Sequence, residues 1–199
     1  MTALELYAEI VEDLGVPEND AIYRDRVAIA NRSVNVVAGR VFNIISNHYY
    51  TTATKSVTSS KVDISDLNVI GNDITVAGYM PVTMTRYQTL SGTCFSDRLY
   101  YIHTRVGNEI LLSPTALTVT LYYYRTPTQV AGENDNIDLP LGIATELAIM
   151  QGKKIVSERL GMDYRLTEEM VRGKINDLMT QYGVTLKKQE LDQAVQSLL

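Results

Sequence analysis

The stretch from Leu121 to Gly161, LYYYRTPTQVAGENDNIDLPLGIATELAIMQGKKIVSERLG, contains the change of secondary structure that organises the chain. Its first residues belong to a strand-like run, Thr118 to Arg125, that stops at Thr126-Pro127. A polar loop follows, and Asp138-Leu-Pro140 then begins a helical pattern that ends at Gly161. This junction separates a β-rich middle from helical flanks, and it carries no recognisable catalytic motif.

The size and composition of the chain indicate one ordinary domain, or one domain with a sizeable insertion, since it has 199 residues. An apolar fraction of 45% with 21% charged residues is typical of a globular protein. The start, MTALELYAEI, is acidic and amphipathic and does not look like a signal peptide. No apolar run approaches the roughly 20 residues that span a bilayer. We therefore expect a soluble protein, intracellular when made, that does not enter a membrane.

The charge of the chain is weakly acidic, with a formal net charge of −5. Binding to DNA phosphates requires clustered basic side chains, whereas Lys153-Lys154 and Lys187-Lys188 are isolated pairs. Sequence-specific nucleic-acid binding is therefore not predicted. A weakly acidic surface would suit a protein that DNA slides past without sticking.

The N-terminal segment is predicted to form two helices. Thr2 to Glu5 fits a capping box, and the first helix stops at Gly15 and Pro17. A second helix is predicted from Asn19 or Asp20 to about Ser46. Within it Gly39 is either a place where another backbone comes close or a tolerated weak point.

From His48 onward Thr and Tyr become frequent, and β-branched residues alternate with polar ones. Strands are predicted at 61–65, 73–77, 81–85, 99–104, 109–112 and 118–125, with turns at Gly71-Asn72, Gly78, Ser91-Gly92, Gly107-Asn108 and Ser113-Pro114. This spacing indicates an antiparallel sandwich or small barrel. In the last strand Val119, Leu121 and Tyr123 point one way, whereas Tyr122 and Tyr124 point the other. Either a packed sandwich or another subunit covers that second face.

The C-terminal part is predicted to be helical. Asp138 caps a helix that ends at Gly161, and Thr167 caps the next helix, which ends at Gly183. The tail, 184–199, forms a short amphipathic helix that either packs back on its own domain or docks onto a partner. The predicted fold class is therefore α+β: a helical core, 1–47 and 126–199, with an inserted antiparallel β-rich domain, 48–125.

Candidate catalytic residues are few. His48 and His103 lie in the β-rich segment and could be combined with Cys94, but the local context of a nucleophile and its base is missing. No Gly-x-Ser-x-Gly elbow and no glycine-rich phosphate loop is present. The loop 133–138 offers carboxylates, either as a calcium site or as a solvated turn with a helix cap. We predict no enzyme activity, no catalytic residue, no cofactor and no bound metal.

The order of these elements resembles the head-to-tail connector (adaptor, or head-completion) proteins of tailed bacteriophages. The resemblance rests on Tyr122 to Pro127, the acidic loop, Asp138 to Pro140, the helix 141–160, and Gly161-Met-Asp163. It implies a structural subunit at the head-tail junction of a virion, made in the host cytoplasm. It also implies a ring, usually of twelve copies, that binds the portal protein and the next tail or neck ring protein and lets DNA pass without specific binding.

Two functions from different classes remain open. One is the connector subunit, and the alternative is a β-domain module of a virion that binds a glycan or receptor, which the Thr- and Tyr-rich strands motivate. The thirteen tyrosines suit half-buried interfaces, because each combines an apolar ring with a hydroxyl group. Our candidate interaction residues are Tyr122, Tyr124, Arg125, Leu186, Leu191, Val195 and Leu198.

Overall fold

The computed structural model describes residues 1–12, 14–16, 21–90, 98–103 and 108–199. Cys94, the Ser91-Gly92 turn, Pro17 and the predicted start of the second helix at Asn19 or Asp20 lie outside these residues, and of His103 only the backbone is described. The fold class is α+β, as predicted. The chain forms two compact units, Met1–His48 with Pro127–Leu199 and Tyr49–Thr126.

The first unit, called the helical unit below, is built from helices. They are α1 (Ala3–Val11), α2 (Ala21–Arg24), α3 (Arg26–Arg40), α4 (Phe42–Tyr49, which ends at the border of the unit), α6 (Ile143–Leu160), α7 (Glu168–Tyr182) and α8 (Lys188–Leu198). α6 lies at the centre, with α1, α3 and α7 packed against it, and α8 contacts both α3 and α7. α1 and α6 approach closely at Gly152, where the side chain of any larger residue would collide with the buried Ile10. The apolar stripes of these helices therefore meet in one core.

The ends of several helices agree with the sequence signals. Glu5 N–H donates to Thr2 Oγ1 at 3.2 Å and Thr2 N–H donates to the Glu5 carboxylate at 2.8 Å, which completes the capping box. Thr167 Oγ1 accepts from Met170 N–H at 3.2 Å at the start of α7. Gly161 and Gly183 end α6 and α7 with φ of +67° and +62°, the left-handed conformation that glycine adopts without a steric penalty.

The predicted second helix is interrupted twice, at Asp25 and at Val41, and is therefore three helices. The first break lies beside Arg26, which donates to the Tyr23 carbonyl at 2.7 Å and lies over the Tyr23 ring at 4.6 Å. Arg26 also pairs with Glu133, far along the chain. The periodicity of the local sequence cannot predict the contact with Glu133. These contacts compete with continuous helical hydrogen bonding.

The prediction that Asp138 caps α6 is wrong. The helix begins at Ile143, and its N-cap is Gly142, whose φ of +98° suits glycine and which supplies no side-chain cap. The Asp138 carboxylate instead accepts from Thr128 N–H at 2.6 Å and lies 3.2 Å from His48 Nε2. The aspartate is thus used to hold the loop before α6.

The second unit, called the β unit below, contains two sheets. The first has the order β1 (Tyr50–Ser56), β7 (Thr118–Arg125), β3 (Val69–Val76), and the second has β2 (Lys61–Asp63), β6 (Glu109–Ser113), β5 (Leu99–His103), β4 (Met80–Pro81). All pairings are antiparallel except that of β4 with β5. The apolar faces of both sheets contribute to one core, made of Val62, Ile64, Ile74, Val76, Tyr79, Tyr100, Ile110, Leu112, Val119, Leu121 and Tyr123.

Four details of the β unit correct the predictions. Residues 84–90 form helix α5 (Met84–Leu90) where a strand was predicted over 81–85, and β1 was not predicted. Gly71-Asn72 lies inside β3, which has a register shift between Val69 and Ile74, so it is a strand irregularity rather than a turn. Within the described residues the two sheets do not close into a barrel. The alternation predicted for 118–125 is correct, because Val119, Leu121 and Tyr123 are buried and their neighbours are not.

Candidate assembly surfaces

The acidic loop before α6 is part of the fold. Its backbone carbonyls at Glu133 and Asp135 accept from Leu4 N–H at 2.9 Å and Ala3 N–H at 3.0 Å, the otherwise unsatisfied amides at the start of α1. The Asp135 carboxylate accepts from the backbone of Ala131 and Gly132, and Glu133 pairs with Arg26.

The carboxylates of Glu133 and Asp135 therefore have partners within the protein itself. In the ranges that the structure describes, no group of three or more His, Cys, Asp or Glu side chains is placed to hold a metal ion. His48 and Asp138, in contact at 3.2 Å, join α4 to the loop, with Asp138 only 12% exposed. What they do in the structure is to position a chain segment.

The outward face of the first β-sheet carries a tyrosine cluster, here defined as Tyr50, Tyr122 and Tyr124. Tyr50 pairs with Tyr124 across the strands, and their ring centroids lie 5.2 Å apart. Tyr50 also stacks on Tyr122, with centroids at 6.3 Å and planes 12° apart. Tyr50 is 50% exposed, although an aromatic ring gains free energy by leaving water. A groove of about 470 Å³ runs beside the cluster.

The rest of this outward face is almost free of charge. Thr52, Thr54 and Ser56 of β1 and Thr75 of β3 are exposed there, and Asp73 is the acidic residue at its margin. Other tyrosines of the β unit have hydroxyl groups that bond within the unit: the buried Tyr79 and Tyr100 and the partly buried Tyr87 of α5 donate to backbone carbonyls at 3.0, 2.8 and 2.9 Å. Burial raises the pKa of Tyr87 and of Tyr100. Tyr79 and Tyr100 are therefore core residues, whereas the tyrosine cluster lies on the surface of the sheet.

The two edges of the first sheet differ. In β3, Ile74 and Val76 point their carbonyls away from β7, and these accept from the Tyr100 hydroxyl at 2.8 Å and from Tyr79 N–H at 3.1 Å. On the other edge, Val57 N–H donates to Leu117 O at 3.0 Å, which makes this a hydrogen-bonded pair in the β1–β7 register.

Hydrogen-bonded and non-hydrogen-bonded pairs alternate along an antiparallel ladder. The backbone N–H and C=O groups of Thr52, Thr54 and Ser56 therefore point away from β7. No strand among the described residues pairs with that side of β1. One edge is thus closed by side-chain and turn contacts, whereas the other is available for a further strand.

Arg125, another candidate interaction residue, follows Tyr124 at the end of β7. Its guanidinium lies 5.4 Å from the centroid of the Tyr49 ring, and its Nη1 donates to the Thr126 carbonyl at 3.3 Å. The cation therefore has partners within the β unit and helps to fix the end of the strand.

The C-terminal tail packs back on the helical unit. Val195 and Leu198 are 0% and 1% exposed, so their side chains are core residues and do not lie on an outer surface. The buried Gln151 donates to the Leu198 carbonyl and Lys154 donates to the Leu199 carbonyl. Leu186 and Leu191, the other two tail candidates, are half-buried.

A third surface, on α3, was not among the predicted candidates. Here Arg32 and Arg40 line a groove of about 680 Å³ together with Asn35 and Gly39. Periodicity could have located it, since exposed small and basic residues recur every three or four positions on the face opposite the apolar stripe. Tyr50 was likewise missed, because its strand was not predicted.

The features described above are surfaces on two compact units, as expected of a structural subunit. Residues 1–160, about four fifths of the chain, match the family described as SU10 adaptor protein, and the chain belongs to that family. No curated protein matches the chain. It is therefore a phage structural adaptor, a virion component that interacts with other phage head and tail proteins. None of the helices in the described part of the chain is long and apolar enough to cross a membrane.

Proposed function

We propose that this adaptor is a subunit of the head-to-tail connector, forming a ring that joins the portal vertex to the tail and lets DNA pass. Membership of the adaptor family carries the proposal. The two units support it, because a ring subunit needs different surfaces for its neighbours and for the proteins above and below it. The weakly acidic chain, with a net charge of −5, favours passage of DNA without specific binding.

The tyrosine cluster is the surface we assign to a partner protein, with Arg125 at its border and the half-buried Leu186 and Leu191 as secondary candidates on the helical unit. Tyrosine is enriched in the cores of protein interfaces, since it buries a large ring at a low entropic cost and keeps a hydrogen-bonding hydroxyl. The neighbouring threonines and serines leave few charges to desolvate. We assign this surface to the portal or to the next ring protein.

The proposal is tested in a phage that carries this gene, with the gene inactivated and supplied in trans. We expect DNA-filled heads without tails when the protein is absent, seen by electron microscopy, and normal particles when the wild type is supplied. A Tyr50→Ser, Tyr122→Ser and Tyr124→Ser variant should fold, because these side chains point outward, but should give few joined particles. A matched control, Leu117→Ser, changes a side chain that is 89% exposed elsewhere on the β unit.

Normal tailed particles in the absence of the protein would refute the connector function. Equal yields for the triple variant and the control would instead refute only the assignment of the tyrosine cluster.

Binding of a glycan or receptor by the β unit is a second candidate, favoured by the same rings, because an exposed aromatic face beside a groove can stack on a sugar. The chain has no tryptophan, which sugar-binding platforms often use. The intact protein, tested on immobilised glycans, distinguishes the candidates: retention that depends on Tyr50 and Tyr122 would favour the module, and no retention is expected of a connector.

A further inference from the structure

We infer that the basic groove on α3 receives an acidic face of α7 from a neighbouring copy of the same chain. This inference rests on the proposed ring and names the contact that would close it. The groove is lined on α3 by Ala28, Asn31, Arg32, Asn35, Val36, Gly39 and Arg40, and by Gln129 of the loop before α6. Five of these seven α3 residues are small or uncharged, and the other two, Arg32 and Arg40, are cations.

The arginines of the groove have no partner among the described residues of the helical unit. Arg32 and Arg40 are exposed, and neither forms an ion pair or a side-chain hydrogen bond with any residue of the described ranges. Several other basic residues of this unit are engaged, Arg26 with Glu133, Arg159 with Asp25 at 2.8 Å, and Arg172 with Glu168 and Asp192 at 2.8 Å. Arg24 and Lys188 are exposed like the groove arginines, but they lie outside the groove. The groove therefore presents positive charge that no described residue neutralises.

The complementary surface is on α7. Its exposed face carries Glu169 and Asp177, which form no ion pair with the described residues, and Met170, which is 47% exposed. The two acids are eight positions apart, as are Arg32 and Arg40, so each pair is separated by about 12 Å along its helix. When the two helices lie side by side, each acid can therefore face one of the arginines.

Each of the two faces also contains a helical glycine in open space. A Cβ added at Gly39 or at Gly173 would meet no atom within 4 Å, so neither glycine is required by packing inside the chain. A glycine inside a helix costs about 1 kcal/mol relative to alanine. A neighbouring helix that packs closely at these positions explains why both residues are glycine and not alanine.

The position of the two helices suits a contact that continues around a ring. α3 and α7 both pack on α6 and on α8, which lie between them, so the two faces belong to different flanks of the helical unit. Acids are also exposed at Glu9 of α1 and at Glu12 just after it, but α1 packs directly against α3 of its own copy. A contact from α3 of one copy to α7 of the next is heterologous, the type that closes into rings.

Charge reversal tests the contact in the full-length protein, using native mass spectrometry and sedimentation velocity. Arg32→Glu with Arg40→Glu should weaken self-association by at least about thirtyfold, because two attractive pairs become repulsive. Glu169→Arg with Asp177→Arg should do the same. An equal mixture of the two variants should associate again, since each supplies the charge that the other needs, and so should the chain with all four changes.

The matched control carries Arg86→Glu with Lys188→Glu, two exposed cations outside the groove, and should associate as the wild type does. Circular dichroism checks that every variant is folded. Equal association of the Arg32 and Arg40 variant and the control would overturn the inference. Loss of DNA binding in that variant with unchanged self-association would also overturn it, and would identify the groove as a contact for phosphates.

Cross-linking extends the test to assembled particles. In a Cys94→Ser background, Asn35→Cys with Asn176→Cys should give a ladder of covalent oligomers on oxidation, whereas Asn35→Cys with Gln88→Cys should not. A protein that stays monomeric alone and gives no ladder in particles overturns the inference. The connector function itself is judged separately by the attachment of tails to heads, so the two can fail independently.

Discussion

Substitution of Gly152 by alanine probes the closest approach of two helices in the core of the helical unit. The added Cβ would lie 2.2 Å from Ile10 Cδ1, 2.5 Å from Cγ1 and 3.1 Å from Cγ2. Apolar carbons prefer about 3.5–4.0 Å, so Ile10 would have to retreat by more than about 1 Å. A new rotamer cannot relieve all three contacts at once, since two of these atoms are bonded to the same Cβ. α1 itself must therefore move.

Two opposing effects decide the size of the change. Alanine is favoured over glycine inside a helix by about 1 kcal/mol. Overpacking of a well-packed core costs about 1–3 kcal/mol, and the depth of this overlap places it near the upper value. We therefore expect Gly152→Ala to lower the free energy of unfolding by about 2 kcal/mol. For a chain of this size that corresponds to a Tm lower by about 4–8 °C.

The assay is thermal and urea unfolding of dilute protein, with Gly173→Ala as the matched control. Gly173 is also inside a helix, but a Cβ there meets nothing within 4 Å, so alanine should raise the free energy of unfolding by about 1 kcal/mol. Ile10→Ala removes all three clashing atoms, so in the double variant the penalty at position 152 should disappear. If Gly152→Ala is as stable as the Gly173→Ala control, the close packing of α1 on α6 is refuted.

Two further predictions concern the tail and a carboxylate. Leu198→Ala should lower the free energy of unfolding by about 2–5 kcal/mol, because the Leu198 side chain is 1% exposed. Leu191 is half-buried, so Leu191→Ala should lower it by less than half as much. Unchanged urea midpoints would mean that the tail is not part of the core. The pKa of Asp63 is lowered by the Ser65 N–H, which donates to it at 2.8 Å. Its contribution to stability is therefore present above the usual carboxyl value near pH 4 and is lost as the pH falls through the lower pKa of the folded state. Asp63→Asn should make the urea midpoint less dependent on pH below about pH 4, and an unchanged pH profile would contradict the assignment.

Most of the elements could be predicted from local patterns, because their signals are local. Capping at Thr2 and Thr167 involves atoms three residues apart, and Gly161 and Gly183 end helices through their own backbone conformation. The alternation in β7 follows from the period of two that every strand has. Each of these predictions required no knowledge of a distant residue.

Two of the wrong predictions depended on distant partners. Asp138 has the character of a helix cap, but Thr128 and His48 are brought to it by the fold, and it serves them instead. The break before α3 depends on Arg26, whose partner Glu133 lies more than a hundred residues away. Local propensity is weaker than such a contact, because a partly buried charged pair is worth more than the preference of one residue for a helix.

By itself, the sequence determined the α+β class, the change from strand to helix within 121–161, and the absence of a recognised catalytic motif. Only the tertiary structure showed that the tail is core, that Tyr50 joins Tyr122 and Tyr124, and that Arg32 and Arg40 share a groove. Burial and adjacency are properties of packed elements, and residues far apart in the chain acquire them only when the elements pack. A surface through which an adaptor contacts its partners is therefore visible only after folding.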